Sequence, residues 1–185
     1  MKIAINLGSG IDYRESTPET KWVNVDNAKC KCDIHHNLIV FPYPFEHDTV
    51  GLIEMNSVLE HLPISTQQGC INECFRILKP GGQLIIRVPH FTSFQAWNDL
   101  EHQKPYTSHS FDGFVQGKEQ HSMNDYYDRK KFSSIETRMV FGKGIQVWNH
   151  IIEWLVNLSQ LTKNIYEQTA CSVNPAEGVF IRLTK

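Results

Sequence analysis

Short apolar runs, separated by polar and glycine-rich turns, dominate the pattern along this chain. The first run, Lys2 to Leu7, is nearly continuous rather than alternating, which is typical of a buried parallel strand. Further strands are predicted at Trp22 to Asp26, Cys30 to Ile34, Thr49 to Met55, Gln83 to Val88, Ile135 to Phe141 and Val179 to Leu183.

Two segments between these runs have the spacing of amphipathic helices. In Thr66 to Leu78 apolar side chains recur every three to four residues, and Ser65 is a candidate N-cap. In Ile145 to Leu161 we expect the apolar face to pack in the core, with a partner surface as the alternative. Ile11 to Thr20 lacks a helical stripe, so the first crossover should have a short or missing helix. The alternation predicts an α/β fold, a doubly wound and mostly parallel sheet with helices on both faces.

The stretch 90–131 differs from the rest, because it is polar, aromatic and rich in histidine without a long periodic element. Short helices are predicted at Phe94 to Leu100 and Ser108 to Phe114. A long irregular insertion with many aromatic residues is typical of a functional loop or lid. We therefore predict one domain, residues 1–185, with a substrate-side insertion at 90–131.

Composition excludes several classes of protein. The 185 residues carry a formal net charge of −2, and nucleic-acid binding, which favours a basic face, is not expected. We find no secretory signal and no apolar run long enough to cross a bilayer. The 5 cysteines are odd in number and scattered. These features predict a cytoplasmic protein without a membrane partner.

The first strand ends at a turn with two glycines, Gly8 and Gly10, and glycine lets a ligand approach the backbone closely. A dinucleotide fingerprint needs a third glycine where this chain has Tyr13, so a dinucleotide oxidoreductase is disfavoured. A nucleoside without phosphates remains compatible. Asp26 is placed to accept hydrogen bonds from ribose hydroxyls, and Asp33 from an exocyclic amine. Each acid could instead only form a turn.

The order of these motifs resembles the class I S-adenosylmethionine-dependent methyltransferases, and within them the small type 11 branch. Leu59 to Leu62, with the sequence LEHL, and Leu78 to Gly82, with the sequence LKPGG, are the most specific matches. The similarity is close from Ile3 to His90. The segments NDLEH, at Asn98 to His102, and PAEGVFIRL, at Pro175 to Leu183, also resemble that branch.

The resemblance implies a Rossmann-like, seven-stranded sheet whose last strand is antiparallel and whose first crossover is shortened. It implies an enzyme that transfers a methyl group from S-adenosylmethionine to a small or medium acceptor molecule. Gly8 and Gly10 would lie under the methionine part, Asp26 would hold the ribose, Asp33 the adenine edge, and Asn56 would lie near the methyl group. The neighbouring Asn6, Ser9 and Asn27 complete the predicted cofactor-binding set. The alternative is a non-catalytic regulatory or partner protein that binds S-adenosylmethionine or S-adenosylhomocysteine, and the sequence does not predict an oligomeric state.

Candidates for a general base are three histidines, His61, His90 and His102. His61 lies within the LEHL segment, where a structural role is equally compatible. His90 follows the fifth predicted strand, and His102 has Asp99 at a spacing that would place both on one helical face. An Asp–His pair orients the imidazole and raises its basicity, but a surface helix pair is the alternative. We therefore predict His90, His102 and Asp99 as catalytic residues. No spacing matches a structural zinc pattern, and no metal is predicted.

Overall fold

The computed structural model describes residues 1–118, 130–144 and 146–185. Its strands form one seven-stranded sheet in the order β3-β2-β1-β4-β5-β7-β6. Only β7 runs antiparallel to its neighbours, β5 and β6. The predicted strand number and the reversed last strand are thus confirmed. The strands are β1 (Lys2–Leu7), β2 (Thr20–Asp26), β3 (Ile34–His35), β4 (Val50–Asn56), β5 (Leu78–Pro89), β6 (Ser134–Val140) and β7 (Gly178–Thr184).

The helices are mostly short. They are α1 (Ile64–Ile77), α2 (Gln95–Asn98), α3 (Asn149–Val156) and α4 (Gln160–Ile165), with a π-helical turn at Tyr166–Ala170 and 3-10 turns at Leu59–His61 and Asp112–Phe114. Ser65 is not the N-cap of α1, because the helix begins at Ile64, two residues earlier than predicted, with Pro63 at the N-cap position. In the predicted insertion 90–131, residues 119–129 lie outside the part of the chain that the structure describes.

The third strand is shorter than predicted, with Cys30 to Asp33 in a loop before it. The reason lies in Asp33, whose carboxylate accepts hydrogen bonds from both the backbone and the side-chain nitrogen of Asn24, at 2.7 and 2.9 Å. The Asp33 carboxylate therefore accepts the Asn24 N–H, which in a regular sheet would donate to a backbone carbonyl of the next strand. Strand pairing between β2 and β3 begins only at Ile34.

The first crossover contains no helix, as predicted. Instead, the loop 11–19 is held on one face of the sheet by the fully buried Asn24. The Asn24 side chain accepts from the Arg14 backbone N–H at 2.9 Å and donates to the Arg14 carbonyl at 3.0 Å. The Arg14 guanidinium contacts the Glu54 carboxylate at 2.7 Å and lies over the Trp22 ring. The Asn24 side-chain amide thus satisfies the N–H and the carbonyl of Arg14, two backbone groups that would bond within the chain if this segment were a helix.

The apolar core lies on the opposite face of the sheet. Alternate residues of β1 and β4, among them Ile5, Leu7, Ile53 and Met55, form one cluster with buried side chains of α1 and of the insertion. The second face of the sheet has a different character near β1, β2 and β4. Asn6, Asn24 and Glu54 point to that face, so it is polar and suited to a loop rather than to a packed helix.

The predicted helix over Ile145 to Leu161 is interrupted, and Ile145 lies outside the described residues. Side chains of α3, of its C-terminal cap and of α4 bond to several backbone groups at the outer edge of β6 and just beyond it. Asn157 bonds the N–H and carbonyl of Met139, both at 2.8 Å, Glu153 accepts from the Phe141 N–H, and Lys163 donates to the Thr137 carbonyl. An edge covered in this way cannot pair with another strand.

The expectation that this helix buries its apolar face is wrong. Its buried residues are the polar Asn149 and Glu153 together with Val156, because the polar side chains are the ones that reach the sheet edge. Large apolar side chains are exposed in their place; they are Val147, Trp148, Ile151, Trp154, Leu155 and Leu158.

Within the described residues, none of the helices combines the length and the apolar character needed to cross a membrane.

Replacing Asn24 tests whether one amide holds the crossover loop. We expect Asn24→Ala to lower the free energy of unfolding by about 2 kcal/mol, because buried polar partners lose their hydrogen bonds. Urea denaturation measures this change. Ser16→Ala is the matched control, since the Ser16 hydroxyl ties the same loop to Trp22 by an exposed bond. A loss of stability as large in the control as in Asn24→Ala would contradict the account.

Candidate functional site

The turn after β1 is tied to the end of β2 by three backbone N–H groups. Gly8 and Ser9 donate to the Val25 carbonyl at 2.8 and 3.1 Å, and Gly10 donates to the Asp26 carboxylate at 2.7 Å. The second carboxylate oxygen of Asp26 accepts from the Ala28 N–H at 2.7 Å. The turn and the acid thus form one rigid unit at the carboxyl ends of two adjacent strands.

Glycine is required at Gly8 for two reasons. Its φ is +68°, in the left-handed region. A Cβ at this position would lie 2.5 Å from Cγ2 of Val58, a contact that forces the neighbouring backbone or side chain to move. Gly10 also has a positive φ of +48°, but a Cβ there would meet nothing within 4 Å. Open space therefore lies over Gly10, and the Oγ of the buried Ser9 has no hydrogen-bond partner among the described residues.

A cavity of ≈ 530 Å³ opens beside this turn. Its volume falls in the range of about 300–1,000 Å³ that is usual for small-molecule sites. It lies beyond the carboxyl ends of β1, β2 and β4, where ligands bind in open α/β sheets. The lining residues are Gly8, Asp26, Asn27, Ala28, Asn37, Leu38, Ser57, Val58, His61, Leu62 and Glu101.

The structure places three predicted cofactor-binding residues, Gly8, Asp26 and Asn27, in the cavity wall. Ser9 and Gly10 complete the adjoining turn. Their positions follow from the strand ends, because parallel strands that pair in register bring their carboxyl ends to one edge.

Three other predicted residues do not reach the cavity wall. Asp33 uses its carboxylate on Asn24 and on the Tyr13 hydroxyl, so it is a structural acid beside β2. These hydrogen bonds outweigh the effect of burial and lower the pKa of Asp33. Asn6 is buried under the loop 11–19, where its side chain donates to the Asp12 carbonyl at 2.7 Å. Asn56 is exposed at the end of β4.

Ser57 is a site residue that the sequence did not reveal. It lines the cavity after β4 and has a φ of +54°, a conformation that costs a non-glycine residue roughly 1–2 kcal/mol. Its backbone N–H donates to the Arg87 carbonyl at 3.0 Å, which holds the chain in this position. Such strain is typical of functional sites, but serine carries no sequence signal for it.

His90 does not face the cavity. Its side chain is fully buried, with Nδ1 at 2.6 Å from the Thr92 hydroxyl and Nε2 at 3.2 Å from the Glu167 carboxylate. Burial alone would raise the pKa of Glu167, but the bonds to His90 and Ser108 hold it below its ordinary value. His90, Asp99 and Asn56 therefore do not converge on one cleft in the described structure.

His102 and Asp99 are close, as expected, with 3.9 Å between Nε2 and Oδ2. A turn after α2 brings them together, with the His102 N–H donating to the Asp99 carbonyl, rather than a shared helical face. The His102 ring also lies 4.6 Å from the His61 ring. His102 is thus the predicted catalytic residue that lies beside the cavity wall.

Glu60 adjoins these histidines and was missed by the sequence analysis. Its side chain is only 1% exposed, and neither carboxylate oxygen has a hydrogen-bond partner among the described residues. Burial raises the pKa of Glu60 to about 7, against the opposing effects of its own amide and of His102. Glu60 lies in the LEHL segment, which the sequence analysis noted for its resemblance. Its neighbour His102 is far away in the sequence, so residue spacing could not identify the cluster.

Comparison with known proteins identifies the fold around this cavity. Residues 9–86 match the family model of the methyltransferase domain. A Mycolicibacterium smegmatis protein named "Probable S-adenosylmethionine-dependent methyltransferase" is 33% identical over 91 residues, which are 49% of this chain and 32% of that protein. The chain therefore spans about a third of the length of this curated relative.

Solved structures share the whole methyltransferase fold. A SAM-dependent methyltransferase from Archaeoglobus fulgidus has a TM-score of 0.64 and 12% identity, with 100% of this chain and 86% of that chain covered. The YcgJ protein from Bacillus subtilis has a TM-score of 0.53 and 11% identity, with 100% and 92% covered. At these identities the comparisons show the fold, and they confirm the predicted resemblance.

The glycine turn after β1 allows a direct test of its packing. Gly8→Ala should lower the free energy of unfolding by about 1–3 kcal/mol, through the positive φ and the collision with Val58. Gly10→Ala should cost less, because only its φ is unfavourable. Thermal and urea denaturation compare the two variants, and Gly8→Ala combined with Val58→Ala should show a coupling that relieves part of the cost. Equal losses in both glycine variants and no coupling would contradict the described packing.

The buried acid predicts a pH dependence of stability. Between pH 4.5 and about 7 the folded state holds a proton on Glu60 that the unfolded state releases. Stability should therefore fall as pH rises through this window, by up to about 3 kcal/mol. In Glu60→Gln the free energy of unfolding should depend less on pH than in the unsubstituted protein. Both proteins are denatured in the presence of a chelator, so that no metal ion binds to the carboxylate. Identical slopes in the two proteins would rule out this assignment.

Proposed function

We propose that this chain binds S-adenosylmethionine in the cavity at the glycine turn and transfers its methyl group to a small or medium acceptor. The observation that carries the proposal is the cavity wall itself. It joins Gly8 and Asp26, at the ends of β1 and β2; Asp26 lies within residues 9–86, which match the methyltransferase domain, and Gly8 directly precedes them. The cofactor of that family is a sulfonium nucleoside.

The residues present fit this cofactor. The turn leaves open space over Gly10 for an approaching ligand, and the unpartnered Ser9 hydroxyl lies beside it. The Asp26 carboxylate has lone pairs left after accepting from Gly10 and Ala28, so it can accept from ribose hydroxyls. We now place the nucleobase against Leu38 and Asn37, because these residues line the cavity and Asp33 does not.

The bound cofactor supplies an already activated methyl group, and the protein mainly has to position the acceptor and exclude water. Positioning of this kind can supply roughly 7–11 kcal/mol. Val58 and Leu62 provide apolar wall, while Glu101 brings the insertion to the rim. We therefore assign the insertion to the proposed acceptor side.

The acceptor is proposed to enter beside His61 and His102. His102 Nδ1 has no partner among the described residues, and Nε2 faces Asp99. An acceptor that arrives protonated can transfer its proton to Nδ1, with Asp99 stabilising the imidazolium that forms. His90 is a weaker candidate for this step because both of its nitrogens are engaged.

We further propose that the acceptor is a small molecule rather than a nucleic acid, and that the protein acts in the cytoplasm. The net charge of −2 supports the first point, since nucleic-acid binding favours clustered basic charge. The cavity, with its mixed polar and apolar wall, suits a compact ligand.

A second candidate is a cofactor-binding protein that acts as a subunit without catalysing transfer. The exposed apolar side chains of α3 and of its N-cap, among them Ile151, Trp154 and Trp148, favour it. Transfer of a labelled methyl group to any member of an acceptor panel would decide for the enzyme.

Binding of S-adenosylhomocysteine tests the proposed cavity directly. Calorimetric titration should show binding to the unsubstituted protein, and Asp26→Ala should weaken it at least tenfold, about 1.4 kcal/mol. Asp33→Ala is the matched control, because this acid also accepts from backbone N–H at the end of β2 but lies outside the cavity wall. Absence of binding at millimolar ligand would refute the proposed function, and equal weakening by both variants would refute the assignment of Asp26.

A further inference from the structure

Three potential metal ligands from two separate parts of the chain meet beside the cofactor cavity. Glu60 and His61 belong to the 3-10 turn after β4, and His102 belongs to the insertion. One ligand atom of each lies within 4.8 Å of the others. The Gln103 N–H donates to the Glu60 carbonyl at 2.7 Å, so a backbone bond holds the two segments together.

The unpartnered state of Glu60 is the observation that indicates a ligand. A carboxylate that is 1% exposed with both oxygens unpaired is costly, and buried charges are usually paired or bound to metals. Among the described residues, Glu60 has no hydrogen-bond partner through either oxygen. The neighbouring His102 also presents a buried and unpaired Nδ1. One ion bound between Glu60 and His102 would serve both side chains as a partner.

The surroundings of the cluster match those of a metal centre. His102 Nε2 lies 3.9 Å from the Asp99 carboxylate, which is longer than a hydrogen bond, and Nδ1 is left to coordinate. If metal binding shortens this distance, Asp99 would become the outer carboxylate that orients the histidine ligand. Gln67 fixes the turn from behind, since its side-chain amide donates to the Leu59 and Leu62 carbonyls, both at 3.0 Å. The ligands are therefore held from both sides.

We infer that Glu60, His61 and His102 form a binding site for a transition-metal dication, with Zn²⁺ as the representative ion. Two imidazoles and one carboxylate favour such an ion over Mg²⁺ or Ca²⁺, which prefer oxygen ligands. The set leaves coordination positions open, as in catalytic rather than structural sites. Because each ligand lies about 2 Å from a bound ion, occupation would draw the three side chains closer together.

The site gives the metal a defined use, which rests on the proposed function. His61 lines the cavity, so an ion bound there would reach an acceptor oxygen or sulfur and lower its pKa. A coordinated His102 would no longer accept the proton. The substrate class would then be acceptors with a hydroxyl or thiol that can bind the ion.

Metal binding is measured on the full chain without cofactor or acceptor, so its outcome is independent of the proposed function. Chelator-treated protein is titrated with Zn²⁺ by calorimetry, and with Co²⁺ by visible absorption. We expect one equivalent to bind with micromolar or tighter affinity, and Mg²⁺ not to compete. Glu60→Gln and His102→Gln should each weaken Zn²⁺ binding at least tenfold, and Asp99→Asn should weaken it about tenfold.

The matched control is the double variant Cys32→Ser with His35→Gln, which removes the closely spaced pair of soft ligands at β3. It should bind Zn²⁺ like the unsubstituted protein, and circular dichroism checks that every variant is folded. The inference is overturned if no stoichiometric binding occurs. It is also overturned if the double variant loses the ion while Glu60→Gln and His102→Gln retain it.

Discussion

The attachment of the first glycine turn to the end of β2 is the interaction on which the site depends. Three successive N–H groups, from Gly8, Ser9 and Gly10, find their acceptors on Val25 and Asp26. This bonding requires a positive φ at both glycines and holds the Asp26 carboxylate in the cavity wall. One local constraint thus shapes the backbone for close approach by a ligand and fixes the acid that would bind it.

A second local interaction explains how the fold is maintained with a shortened first crossover. Asn24 is fully buried and holds the loop 11–19 through the backbone of Arg14. Because the polar face of the sheet carries Asn6, Asn24 and Glu54, a loop can satisfy it where an apolar helix would leave these groups unpaired. The core is consequently built on the other face, with α1 and the aromatic residues of the insertion.

Features encoded in short segments could be predicted from the sequence. The continuous apolar runs located six of the seven strands, and two glycines located the turn, because burial and positive φ act on neighbouring residues. Features set by distant contacts could not. Asp33 has the composition of a site acid, yet Asn24 and Tyr13 take its carboxylate.

The helical spacing of the apolar residues around Trp154 predicts that they are buried. In the structure the polar Glu153 and Asn157 bond the backbone of Phe141 and Met139, and Trp154 is exposed. The proximity of Glu60 to His102, which lies in the insertion, likewise depends on tertiary contacts and could not be predicted from the sequence.

The central claim is that a sulfonium nucleoside binds against the glycine turn. Titration of isotopically labelled protein with S-adenosylhomocysteine, followed by amide chemical shifts, tests it most directly. The account predicts shifts at Gly8, Gly10, Asn27 and Leu38, and none at Lys143 or His150, which line a separate cleft of ≈ 760 Å³ between β6 and α3. Shifts confined to that cleft, with none at the glycine turn, would contradict it.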